Sequence, residues 1–264
     1  MKIDTHVHTL HSNPTAEILI REGYRVKKVV DTAASKGLDS ILLTDFNHIE
    51  GFRILHYNQK IGNKWLFNDD YERTKQESSV IVNSSNYKKP LTVFLGEEIQ
   101  TNQCEIIGAL IKNHIEKNKS IEETIKRIDD EGGIVIFPHP LITGGIGELE
   151  LKKQFLEKYL KAIEVFNGQI PFLLSHLNKE AEDIAKRYKI FSVGGSDASY
   201  LFEQYKRVGE VYTHFTNLGE LSKEGIRDYV KDNCKTEITG NCNNLLDIVS
   251  VMAYKGFRKL KIKS

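Results

Sequence analysis

Cysteine is scarce in this chain of 264 residues, and its three cysteines, Cys104, Cys234 and Cys242, form no Cys-x-x-Cys pair. The sequence therefore indicates neither a disulfide framework nor a thiolate zinc site. No apolar run is long enough to span a bilayer, and the first motif residues begin at Asp4, which leaves no room for a signal peptide. We expect a cytoplasmic protein without a membrane partner.

Charge of either sign is not in excess, since the formal net charge is +1. This balance argues against a general electrostatic preference for nucleic acid. A basic tail at about 243–264 is typical of a solvated chain end, and a nucleic-acid contact is the alternative interpretation. The composition, with 40% hydrophobic and 28% charged residues, is that of an ordinary globular protein, and the length suits one large domain.

Short β-type runs alternate with amphipathic stretches, which is the pattern of a parallel sheet or barrel covered by helices. One of the predicted helices opens with a capping box made by Ser120 and Glu123. Others are predicted at about 24–35, where Val26, Val29, Val30 and Ala33 have helical spacing, between the glycine-rich loop after Pro140 and the strand that begins at Ala162, and at about 178–188 and 222–233. The last predicted strand is at 209–213. A polar insertion at about 56–90 lacks a strong period, and we interpret it as a lid or as a disordered surface segment.

The first strand is the most informative stretch of the sequence. Its period of two places Asp4, His6 and His8 on one face, so that the two imidazoles converge on one point. A His-x-His pair at a strand end is a common source of two nitrogen ligands for a transition metal. Two satisfied core histidines are the alternative, and the ends of the later strands argue against it.

Most predicted strands end on groups that bind metals or protons. The carboxyl ends of barrel strands meet at one face, where the loops assemble the active site. Mixed imidazole and carboxylate ligands suit zinc, manganese or iron, and a carboxylate such as Glu98 can bridge two cations. Two adjacent cations activate a shared water for hydrolytic phosphoryl chemistry. The strand-end residues are His6, His8, Asp45, Glu98, His139, Asn167 and Asp197.

Six motifs together resemble the PHP (polymerase and histidinol phosphatase) family, in particular its small stand-alone members. The resemblance implies a distorted (β/α)7 TIM-like barrel, an α/β single domain over 1–264. It also implies a metal-dependent phosphoesterase, a hydrolase that attacks phosphate esters with a hydroxide bridging two metals. The motifs are Asp4–Thr9, Leu43–Asp45, Gly96–Ile99, Gly132–Pro140, Glu164–Gly168 and Gly195–Ala198.

The resemblance also implies the metal ligands. His6, His8, Glu98 and Asp197 would hold one divalent metal, and Glu98 would bridge to a second. His139 and Glu105 would complete the second position, although many family members have histidine where this chain has Glu105.

A third metal of the family is expected to be lost here. Its ligands are replaced by Asn13, Phe46 and Ser199. His11 or His48 offers an alternative that would restore part of that site.

The predictions for catalysis and substrate are less specific. Asp45 or His48 would carry protons, and Asp4 would orient an imidazole. The expected partner is a small phosphorylated substrate, a phosphomonoester or a nucleotide.

Candidate contacts to the phosphate are few. They are Asn167, Lys206, Arg207, Arg53 and the glycine-rich loop after Pro140. The competing hypotheses are a degenerate PHP protein that binds metal or ligand without turnover, and a hydrolase that cleaves a bond other than a phosphate ester.

Overall fold

The computed structural model describes residues 1–9, 19–57, 60–61, 64–65, 67, 71–147, 161–199 and 201–242, which form one mixed α/β domain. The helices are α1 (Leu19–Ser35), α2 (Glu50–Tyr57), α3 (Ile121–Asp130), α4 (His176–Tyr188) and α5 (Lys223–Lys231), with 3₁₀ turns at Phe172–Leu174 and Leu201–Arg207. The strands are β1 (Lys2–Val7), β2 (Ser40–Leu43), β3 (Lys60–Ile61), β4 (Lys64–Trp65), β5 (Tyr71–Lys75), β6 (Ser79–Ser84), β7 (Leu91–Gln100), β8 (Glu105–Ala109), β9 (Ile134–Phe137), β10 (Lys161–Asn167), β11 (Phe191–Gly195), β12 (Tyr212–Phe215) and β13 (Thr236–Thr239).

One sheet of eleven strands curls into a nearly closed barrel. Nine strands follow the order β11-β10-β9-β8-β7-β2-β1-β12-β13, and β6 and β5 extend the sheet beside β7. The barrel closes where Val7 and Ala198 form a parallel bridge and the His8 N–H donates to the Ala198 carbonyl at 2.8 Å. The carboxyl ends of β1 and β11 therefore lie side by side.

The sheet departs from the regular (β/α)7 pattern that we expected. Neighbours such as β1 and β2, β2 and β7, and β9 and β10 are parallel, but β8 runs antiparallel to both β7 and β9. Only a short turn joins β7 to β8, and such a turn can connect only antiparallel strands. The structure therefore shows a mixed barrel-like sheet.

The interpretation of the insertion at 56–90 is wrong for residues 71–84. These residues form the hairpin β5–β6, and β6 pairs with the first half of β7. Val80 and Val82 are fully buried in the main hydrophobic core, as their alternation with the half-exposed Ile81 would predict. This part of the insertion is an extension of the sheet and not a lid.

Apolar side chains pack in two clusters, one outside the barrel sheet and one inside it. Outside it, α1 buries the predicted stripe of Val26, Val29, Val30 and Ala33, and it ends at Ser35 before Gly37, whose φ is +72°. Inside it, residues such as Phe94 line an apolar cavity of about 40 Å³. Ile226 and Val230 of α5 also line this cavity.

A β-bulge in β1 decides which side chains reach the carboxyl end of the barrel. The pairing with β2 shifts register between Asp4 and Val7, so that Thr5 lines the inner cavity and the next residue, His6, also points inward. The expectation that Asp4 shares a face with His6 and His8 is therefore wrong. Its carboxylate instead accepts the backbone N–H groups of Ser196 and Gly209, at 2.9 and 2.8 Å.

The remaining elements follow the sequence with small shifts. The Ser120 hydroxyl caps α3 by accepting the Glu123 N–H, which is one half of the predicted capping box, and the Glu123 carboxylate accepts from Arg127 at 3.0 Å. The last predicted strand, at 209–213, lies at Tyr212–Phe215, and β13 was not predicted. The helix expected before β10 and the basic tail lie outside the described residues. Among the described helices, none combines the length and the apolar character needed to cross a bilayer.

Candidate metal centre

The first of two candidate metal positions is lined by His6, His8, Asp197 and Glu98. The two imidazole Nε2 atoms lie 3.0 Å apart, and Asp197 Oδ1 lies 3.7 Å from His6 Nε2 and 3.3 Å from His8 Nε2. Glu98 turns one oxygen to each histidine, at 3.6 Å from His6 and 3.5 Å from His8. Two strand ends that the barrel closure brings together, those of β1 and β11, supply three of these ligands.

The second position is formed by Glu98, Glu105 and His139. His139 Nε2 lies 3.2 Å from Glu98 Oε1 and 3.6 Å from Glu105 Oε2. The rings of His6 and His139 stack with centroids 5.9 Å apart, so the two positions are adjacent. Glu98, at the centre, is common to both.

The spacing of these atoms fits a metal. Two ligands that each lie about 2.1 Å from one tetrahedral ion are about 3.4 Å apart. The separations between histidine nitrogens and carboxylate oxygens in both positions are 3.2–3.7 Å. The candidate ligand atoms lie within 4.8 Å of one another in each of two sets, which are His6, His8 and Asp197, and Glu98, Glu105 and His139. The mixture of imidazole and carboxylate suits zinc, manganese or iron.

The electrostatics also favour cations. Burial works to lower the pKa of His6, but the surrounding carboxylates, led by Asp197, raise it well above its usual value. Burial opposes protonation of His139 too, yet Glu98 raises its pKa to about 9. Burial pushes the pKa values of Glu98 and Asp197 upward, and the histidines nevertheless hold both below their usual values. The centre is thus an anionic pocket whose protons a divalent cation can replace.

Two of the candidate ligands have a backbone conformation that residues other than glycine seldom adopt. The φ angles of His139 and Asp197 are +27° and +50°. Each lies two residues after the end of a strand, His139 after β9 and Asp197 after β11. Such conformations cost about 1–3 kcal/mol each and are concentrated at functional sites.

Glu164 is a central residue to which sequence reasoning gave no role. It lies inside β10, it is 2% exposed, and its Oε1 lies 3.1 Å from His6 Nδ1. Its other oxygen accepts the His139 N–H at 2.9 Å and the Asn167 side-chain N–H at 2.8 Å. The role predicted for Asp4 therefore falls to Glu164. A buried acid in the middle of an apolar strand was the available signal.

Asn167 is buried and faces the first position. Its amide donates to Asp197 Oδ2 at 3.1 Å as well as to Glu164. A register shift between Glu164 and Phe166 lets both polar residues of β10 reach the same side. Its contacts are those of a residue that holds Asp197, whereas the sequence suggested a contact to substrate.

The two candidate proton carriers lie at the end of β2 and before α2. Both oxygens of Asp45 accept from Thr9, at 2.6 Å from its N–H and 2.7 Å from its hydroxyl. His48 is buried, its Nδ1 accepts the Glu50 N–H at 3.4 Å, and its Nε2 has no hydrogen-bond partner in the described part of the chain. Their roles in catalysis stay predictions.

The other candidate phosphate contacts have partners of their own. Arg207 pairs with Glu210 at 2.9 Å, and the Lys206 carbonyl accepts from Lys36. In the glycine-rich loop, the N–H groups of Gly145 and Gly147 donate to carbonyls of the same loop. These two N–H groups therefore serve the loop itself.

Two of the three residues expected to replace ligands of a third metal, Phe46 and Ser199, lie in the described part of the chain. Phe46 offers a phenyl ring, and the Ser199 hydroxyl donates to Gln204 at 3.1 Å. Asn13 and His11 lie outside the described residues.

The chain is similar in sequence to two proteins of an archaeon. No family model matches the chain. Uncharacterized protein MJ0417 of Methanocaldococcus jannaschii is 31% identical over 127 residues, which cover 47% of this chain and 51% of that protein. Uncharacterized protein MJ1587 of the same organism is 29% identical over 173 residues, which cover 64% of this chain and 82% of that protein. The first match thus spans about half the length of the relative.

Two solved structures share the fold. PsfC from Pseudomonas syringae PB-5123 has a TM-score of 0.58 at 16% identity and covers 98% of this chain and 97% of its own. Endonuclease Q, solved with a 27-mer duplex that carries an abasic lesion at the active site, has a TM-score of 0.57 at 12% identity. That match covers 95% of this chain and 66% of Endonuclease Q.

Proposed function

We propose that the protein is a metal-dependent hydrolase of phosphate esters with a PHP-type barrel. The observation that carries this proposal is the pair of ligand positions that share Glu98. Zinc, manganese or iron bound there would lower the pKa of a water and stabilise the oxygens of a phosphoryl group.

The residues of the chain have separate tasks in this proposal. His6, His8, Glu98 and Asp197 would hold the first cation, and Glu98, Glu105 and His139 would hold the second. The strained turns after β9 and β11 orient His139 and Asp197. Asn167 holds Asp197 in place. Asp45 or His48 would accept the proton that the attacking water loses.

The substrate class follows from the chemistry of the centre. A phosphomonoester or nucleotide is the substrate that we propose, because two adjacent cations suit the attacking and leaving oxygens of phosphoryl transfer. Endonuclease Q, which shares the fold, is seen with a 27-mer duplex substrate that carries an abasic lesion at the active site. A phosphodiester in nucleic acid therefore belongs in the test as a second substrate arm.

The test is a hydrolysis assay on a panel of phosphomonoesters, nucleotides and duplex DNA with an abasic site, under added Mn²⁺ or Zn²⁺. We expect turnover that chelation abolishes and that His6→Ala and Asp197→Ala each eliminate. Lys179→Ala, on the exposed face of α4, serves as the control and keeps full activity. Full activity in both ligand variants would contradict the mechanism.

A protein that binds metal without turnover is the second candidate. Phe46 and Ser199, which replace two ligands of the family's third metal, favour it because a phosphate-holding cation would be lacking there. Metal bound at both positions, with no hydrolysis across the whole panel, would support this candidate over the enzyme.

A further inference from the structure

We propose that Glu164 is a positioning residue that sets both metal positions, the first through Oε1 and the second through Oε2. The inference rests on the proposed function insofar as the two positions bind cations. It concerns metal affinity, however, and can be measured without turnover.

The first half of the role is the choice of tautomer at His6. Glu164 Oε1 lies 3.1 Å from His6 Nδ1, and both side chains are buried. A carboxylate can only accept, so Nδ1 must carry a hydrogen, and in the neutral imidazole that binds a metal the lone pair is then at Nε2. His6 Nε2 is the atom that faces His8, Glu98 and Asp197. Glu164 thereby presents His6 as a ligand.

The second half is the placement of the turn after β9. Glu164 Oε2 accepts the backbone N–H of His139 at 2.9 Å, at the residue whose φ is +27°. The same oxygen accepts from Asn167, whose amide also donates to Asp197. One oxygen therefore holds a strained ligand of the second position and supports a ligand of the first.

A glutamine at 164 separates the two halves, because its amide has one accepting oxygen and one donating nitrogen. With the oxygen toward His139 and Asn167, two hydrogen bonds survive, and the NH₂ group faces His6 Nδ1. With the oxygen toward His6, the NH₂ group faces two donors. The first arrangement loses less, and it drives the hydrogen of His6 to Nε2, where it blocks the metal. Glu164→Gln should therefore weaken the first position selectively.

Glu97 provides a matched control. It is another fully buried glutamate, and its two oxygens likewise contact a histidine Nδ1, that of His114 at 2.8 Å, and a backbone N–H, that of Ile115 at 2.9 Å. None of these partners is a proposed ligand. Glu97→Gln reproduces the loss of a buried carboxylate and reports the effect of a loosened fold.

The experiment is a calorimetric titration of metal-free protein with Mn²⁺. His8→Ala disables the first position and Glu105→Gln the second, so that each background reports one site. We expect Glu164→Gln to weaken the first position, measured in the Glu105→Gln background, by about tenfold to a hundredfold, as for other partners behind metal-bound histidines. The second position, measured in the His8→Ala background, should change by less than about threefold, and the Tm should match that of Glu97→Gln.

Three results would overturn the inference. They are equal weakening at both positions, no more weakening than in Glu97→Gln, and a wild type that binds no Mn²⁺. A wild type that binds two cations, with the selective loss in Glu164→Gln but no hydrolysis of any phosphoester, would overturn the proposed enzyme and support this role of Glu164.

Discussion

Two glycines of the loop after β9 allow the second position to be tested with a matched pair of alanine substitutions. Gly144 and Gly147 both have positive φ angles, +95° and +73°. A Cβ at Gly144 would lie 2.0 Å from Oε2 of Glu105, whereas a Cβ at Gly147 meets nothing within 4 Å. Gly144→Ala therefore combines backbone strain with displacement of a ligand, and Gly147→Ala brings strain alone.

The magnitudes follow from the geometry. Alanine at positive φ costs about 1–2 kcal/mol in either variant, which lowers the Tm of a domain of this size by about 2–8 °C. The clash at Gly144 adds little to this, because the Glu105 carboxylate is 21% exposed and can swing away. An ordinary contact of 3.4 Å nevertheless requires Oε2 to move by about 1.4 Å. The distance between a metal and its ligand varies by only about 0.2 Å.

The assay is elemental analysis of Mn²⁺-loaded protein after dialysis, with the Tm measured in parallel. We expect Gly147→Ala to retain two cations per chain and Gly144→Ala to retain one. A Gly144→Ala protein that retains both cations would refute the placement of Glu105 as a ligand. Equal loss in the two variants would show that strain in the loop, and not Glu105, is responsible.

Three further predictions concern stability. Folding raises the pKa of His139 from 6.5 to about 9, so the stability that its protonation adds is fully present below pH 6.5 and is lost as the pH rises through 9. The Tm of the metal-free protein should therefore fall across that interval, and a flat profile would contradict the anionic centre. Ser120→Ala removes the cap of α3 and should cost about 1 kcal/mol in a urea titration without changing Mn²⁺ affinity. Gly195→Ala would place a Cβ 2.4 Å from the Cβ of His6 and 2.7 Å from its backbone nitrogen, both on a rigid strand. We expect the free energy of unfolding to fall by about 3 kcal/mol and the first cation to be lost. Wild-type stability would show that β1 and β11 can separate there freely.

The residues of the candidate metal centre could be singled out from the sequence because they follow apolar runs. His139 and Asp197 each lie two residues after a strand, β9 or β11, and a strand end is visible in the pattern of residues even when its partner strands are not. Glu105 was expected only from the family resemblance, and the antiparallel pairing of β7 with β8 brings it near His139.

The inner support of the centre could not be predicted in the same way. The bulges of β1 and β10 depend on how neighbouring strands pair, and a strict period of two places Asp4 with the histidines and leaves Glu164 without a role. The hairpin at 71–84 was missed because β5 is largely exposed and polar, and because its stability comes from pairing with β6, which in turn pairs with β7.

The central claim is that two cations share Glu98, and the most direct measurement is electron paramagnetic resonance of the protein loaded with two equivalents of Mn²⁺. A carboxylate bridge predicts an exchange-coupled pair of Mn²⁺ ions about 3.5–4 Å apart, and Glu98→Ala should abolish the coupling. Two uncoupled ions, or a single bound ion in the wild type, would contradict the account.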